Sequence, residues 1–78
     1  MNLTTNELQA LTIVHNEGSI EFNAQSYLKI TSRLKACLNT SFVSFSVHKA
    51  FVYIEYSVKG SSEFIKIQSR RSLLNNSK

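Results

Sequence analysis

Chemistry in a chain this short has few places to start. The imidazoles are His15 and His48, the only thiol is Cys37, all five acids are glutamate, and there is no aspartate. Without Asp a Ser-His-Asp relay has no third member. Cys37 stands alone, so an internal disulfide is excluded, and no Cys or His pair has metal-ligand spacing. The two glycines, Gly18 and Gly60, belong to no phosphate-cradling loop. His15 falls beside the buried side of a helical segment and reads as a structural histidine, while His48 falls in a turn. Cys37 lies on an apolar stripe and reads as a small inert hydrophobe. These residues point away from an enzyme and call for no cofactor and no metal.

The residues that remain to be explained are aromatic. In SFVSFSVHKAFVYIEYSVKGSSEFIKIQ, strand periodicity sets Val43, Phe45 and Val47 on one face, joined by Val52, Ile54, Tyr56, Ile65 and Ile67. The other face, which ought to meet water, then carries Phe42, Ser44, Ser46 and His48, followed by Phe51, Tyr53 and Glu55, and then Phe64, Lys66 and Gln68. Rings interleaved with Lys49 and Lys66 are what a base-stacking platform requires, since rings accept bases and cations hold phosphates. A second helix covering this face, a second copy of the chain or a protein partner would use the same rings as buried surface. Burial is the commoner fate of strand aromatics, so protein is expected ahead of nucleic acid as the partner.

Charge supports an anionic partner. Up to Gln25 there are three glutamates and no Lys or Arg, a charge of −3; beyond it nine basic residues face Glu55 and Glu63, a charge of +7. Lys29 and Arg33 stand one helical turn apart and could straddle phosphates, and Arg70 and Arg71 open a basic C-terminal tail spanning 70–78. The polar N-terminus resembles no signal peptide and no segment is long enough to span a membrane, so the expectation is a cytoplasmic protein without membrane contact.

The elements that must position these residues form one domain of 78 residues. In LTTNEL, Thr4 and Glu7 have the spacing of a capping box, and Leu3 and Leu8 that of a hydrophobic staple. A helix over 5–16 follows, ending at Gly18, with Leu8, Leu11 and Val14 inward. The β-branched run Thr12-Ile13-Val14 leaves an N-terminal hairpin as the alternative. A second helix over 24–39 places Tyr27, Ile30, Leu34, Cys37 and Leu38 on one stripe. Three antiparallel strands complete an α+β fold: two helices, then a β-meander. A two-residue turn at Gly60-Ser61 would set Glu55 opposite Lys66, Ile54 beside Ile67 and Tyr56 beside Ile65.

The stretch LTTNELQALTIVHNEGSI resembles the opening of a winged-helix DNA-binding domain, in which a capped helix ends at a glycine before a short strand. The likeness stops after about twenty residues. Asn23 to Thr40 has room for one helix where that family needs two, and a recognition helix is missing, so no function is carried over. The expected function is a non-enzymatic binding or regulatory protein that occupies a partner's surface. Small accessory proteins of bacteriophages and mobile elements that block host enzymes or defence complexes have this character. A single-stranded nucleic-acid-binding module and a structural homodimer are the alternatives.

Overall fold

A computed structural model of the chain describes residues 3–18 and 23–74. Two helices precede a three-stranded sheet: α1 (Thr5–Glu17), α2 (Ala24–Leu38), β1 (Val43–Val47), β2 (Phe51–Ser57) and β3 (Phe64–Arg70), closed by one turn of helix, α3 (Arg71–Leu74). The architecture is α+β, and the first element is a helix rather than a hairpin.

The capping box decides α1. The Glu7 N–H donates to Thr4 Oγ1 at 3.1 Å, and the Thr4 N–H donates back to Glu7 Oε1 at 3.0 Å, so two amides orphaned at the helix start are satisfied. The β-branched Thr12 is absorbed because its hydroxyl bonds Leu8 O at 2.9 Å, one turn back. Glu7, Ala10, Leu11, Val14 and His15 form the buried stripe. Leu8, expected inward, is 48% exposed instead. The stripe is centred near Glu7, Leu11 and Val14, which leaves Leu8 at its edge.

In α2 the Asn23 side chain caps the N-terminus by accepting from the Ser26 N–H at 2.8 Å. Ile30, Leu34 and Leu38 are buried, and Cys37 is half-buried. Tyr27 stays partly exposed but stacks on Phe45 of β1, with centroids 5.1 Å apart. Asn39 ends the helix at φ 53, the left-handed conformation that asparagine tolerates. Thr40 then steers the chain into the sheet. Its buried hydroxyl lies 2.7 Å from Ser57 O and 2.9 Å from Phe42 O, tying the start of β1 to the end of β2.

The sheet order is β1-β2-β3, antiparallel throughout. The pairs Ile54–Ile67, Glu55–Lys66 and Tyr56–Ile65 occur as the sequence indicated. The turn is wider than two residues, however. The Val58 N–H donates to Glu63 O, leaving residues 59–62 as the loop, with the Ser61 N–H bonded to Val58 O and Gly60 at φ 82. The register is unchanged because a four-residue and a two-residue loop centred on the same peptide bond pair the same residues.

Both helices pack on one face of the sheet. Ala10, Leu11 and Val14 from α1, with Ile30, Leu34 and Leu38 from α2, close over Val43, Val52, Ile54, Tyr56 and Ile67. Leu74 of α3 docks into the same core, whereas Leu73 is exposed. The smallest dimension of the molecule, 19 Å, is that of one helical layer on one sheet. An arrangement with one helix on each side, which would have buried the second aromatic set, is therefore not adopted.

Candidate macromolecular interface

With the helices on the inner face, no described element covers the outer one. Pairing across the three strands arranges its side chains in four rows, each about 7 Å from the next because alternate residues point the same way. One end row is Phe42, Ser57 and Phe64, as the Ser57 N–H bonds Phe42 O and Ser57 pairs with Phe64. Next come Ser44, Glu55 and Lys66, then Ser46, Tyr53 and Gln68. The far row is His48, Phe51 and Arg70.

The rings gather at the two ends. Phe42 and Phe64 reach over the small Ser57 and meet edge to face, centroids 5.6 Å apart, yet remain 49% and 51% exposed. At the other end His48 stacks on Phe51 with centroids 4.4 Å apart and planes 17° from parallel. His48 Nε2 is also 3.1 Å from Ser46 Oγ, which orients the imidazole over the ring. Tyr53 stands half-buried between the ends, its hydroxyl 3.5 Å from Glu55 Oε1. Open aromatic faces, hydroxyls and an amide here can stack planar groups and offer hydrogen bonds.

The candidate basic residues divide into two groups. Lys66 and Arg70 rise from β3 on the outer face, and Lys49 sits in the two-residue turn between His48 and Phe51. Arg71 follows at the end of β3, where its Nε donates to His15 Nδ1 at 3.2 Å and its Nη1 to His48 O at 3.1 Å. Lys29 and Arg33 lie on α2, in the helical layer, and share no surface with the rings. Arg33 is engaged in an ion pair with Glu17 of α1. The structure thus brings together Phe42, Phe51, Tyr53, Phe64, Lys66, Arg70 and, at the margin, Lys49 and Arg71. It separates Lys29 and Arg33 from them.

No protein-family model, curated protein or solved structure matches this chain.

Beyond the far row the surface sinks into a broad open groove of about 1400 Å³, whose lining includes Phe51, Gln68, Lys49, Arg70, Arg71 and His15. Among the described residues no glutamate lines it. The acids of the described residues are placed elsewhere: Glu7 is buried against Tyr56, Glu17 pairs with Arg33, Glu55 stands opposite Lys66, and Glu63 closes the distant loop. His15 and His48 were read from sequence as a core residue and a turn residue. Sequence periodicity did place His48 with Ser44 and Ser46, but nothing local showed that Arg71 would join the two histidines.

The remaining reactive side chain is Cys37. Its thiol donates to Asn6 O at 3.3 Å; burial pushes its pKa up, and the nearby Arg33 guanidinium offsets this only in part. A thiol held protonated is a poor nucleophile. Among the described residues no three His, Cys, Asp or Glu side chains cluster to hold a metal ion, and no helix is long and apolar enough to cross a membrane.

Proposed function

We propose that this chain is a non-enzymatic binding protein that presents the outer face of its sheet to a macromolecular partner. The observation that carries this reading is the one-sided packing of α1 and α2, which leaves Phe42 and Phe64 half exposed on a face where Phe51 and Tyr53 also stand. A small domain gains little by displaying such rings to water, and exposed aromatic side chains on an uncovered face are characteristic of recognition sites. A domain of this size can cover about 800 Å² of a partner, which suffices for an inhibitor or adaptor that acts by occupying a surface. The accessory inhibitors of phages and mobile elements are one setting for such a mode of action.

Photo-crosslinking in the cells that express the protein tests this. A p-benzoylphenylalanine replacing Phe64 should give a discrete adduct. The same group replacing Leu28, which is 65% exposed on the helical layer, should not. Equal adducts from both positions, or none from Phe64, would show that the sheet face is not the working surface.

A further inference from the structure

We infer that the partner of the outer face is a single-stranded nucleic acid whose backbone runs from the sheet into the basic groove beside Phe51. This rests on the reading that the outer face is the working surface, and it adds the chemistry of the occupant. Three cations, Lys49, Arg70 and Arg71, line the groove together with Phe51 and Gln68, and among the described residues no carboxylate lines it. That is charge complementarity to a polyanion. An acidic protein patch could satisfy the charges, but the groove also joins the aromatic rows without a break, since Phe51, Gln68 and Arg70 belong to both. A ligand fitting both halves must alternate planar groups with anions along its length, as a nucleic-acid strand does.

Each part has a role in such a complex. The uncovered parts of the half-buried Phe51 and Tyr53 rings receive bases, with His48 stacked on one face of Phe51 to hold its ring in place. Gln68, facing Tyr53 across the ladder, can donate to and accept from a base edge. Lys49 and Arg70 meet phosphates. Arg71 is a positioning residue: its bonds to His15 and His48 O fasten the β1–β2 turn against α1, which sets the place of Lys49. The bases must be unpaired, because rings on a sheet can stack only on bases that are free to leave a helix.

Fluorescence anisotropy with labelled oligo(dT), a mixed-sequence RNA and a DNA duplex, at low and moderate salt, tests the inference. Single strands should bind better than duplex and weaken as salt rises. Phe51→Ala should weaken single-strand binding roughly tenfold, the scale of one lost stack. Lys49→Glu with Arg70→Glu should weaken it more, and circular dichroism should show both variants folded. Failure of single strands to bind at low salt would overturn the inference. So would equal affinity for duplex, or binding indifferent to Phe51→Ala, since either would reduce it to unspecific charge attraction.

A soluble gadolinium relaxation probe separates failure of the inference from failure of the reading it rests on. If no oligonucleotide binds but the Phe42 and Phe64 ring signals are bleached, the face is open and a protein partner takes the place of nucleic acid. If those rings are protected and the mass in solution is doubled, a second copy occupies the face and both readings fall.

Discussion

At the scale of single residues, Glu7 does the most. One carboxylate oxygen closes the capping box of α1, and the other accepts from the Tyr56 hydroxyl at 2.7 Å, joining helix to sheet inside the core. Burial first, then this hydrogen bond and the Glu7 charge, push the Tyr56 pKa up to about 12. The folded protein therefore keeps the phenol proton after the unfolded chain, at about 10, has lost it. Stability from this site is fully present below about pH 10 and is lost as pH rises toward 12, by no more than about 3 kcal/mol. Urea midpoints should fall more steeply from pH 9 to 11 in the wild type than in Tyr56→Phe. At neutral pH Tyr56→Phe should itself cost about 1–3 kcal/mol, as it removes a hydrogen bond to a buried carboxylate. Cys37, with its thiol bonded to Asn6 O and its pKa raised, should react with iodoacetamide at pH 8 more slowly in the folded protein than in urea. Equal rates would show that the thiol is not held as the structure places it.

At the scale of elements, the joints matter more than the elements themselves. Gly18 follows α1 at φ −74, an ordinary helical value, so it is not there for its backbone freedom. It is there for room: a Cβ would sit 2.6 Å from Val14 O and 2.6 Å from Val47 Cγ2. Gly18→Ala should therefore destabilise by about 1–3 kcal/mol through overpacking, and Val47→Ala in the same chain should recover part of that loss. Chemical denaturation of the two single variants and the double variant measures this. Sequence reading placed Gly18 correctly at the helix end, but one of the two contacts that require glycine, Val47 Cγ2, comes from β1, twenty-nine positions along the chain. The same applies to Leu8. A helical wheel offered it to the core, yet the polar Glu7 was drawn inward by Tyr56, and Leu8 was left near water.

At the scale of the whole molecule, the question is which of two aromatic sets is core. Ile54 is fully buried, and Ile54→Ala should cost about 2–5 kcal/mol. Phe64→Ala, on the outer face, should shift the thermal midpoint far less. A large loss from Phe64→Ala would mean that the outer face is covered in solution, and the mass of the protein would say whether a second copy covers it. The N-terminal glutamates were legible as an acidic end to the chain, but their effect was not. Glu7 is spent in the core and Glu17 on Arg33, so the outer face and the groove lie away from two of the three charges that sequence counting set against them.

What the sequence determined by itself is local. The capping box, the alternation of strand residues and the centre of the Gly60 turn are short-range patterns, and they suffice for two helices, three strands and the register of β2 on β3. They even sort the strand residues into two faces, because alternation has a fixed period. Which face the helices cover is a different matter. It depends on how chain from Asn39 to Phe42 turns, and there the left-handed Asn39 and the Thr40 hydroxyl bound to Ser57 send the strands beneath both helices together. Only contacts between residues distant in sequence decide that, so only the tertiary structure could show Phe42 and Phe64 exposed and the half-buried Phe51 and Tyr53 outside the core.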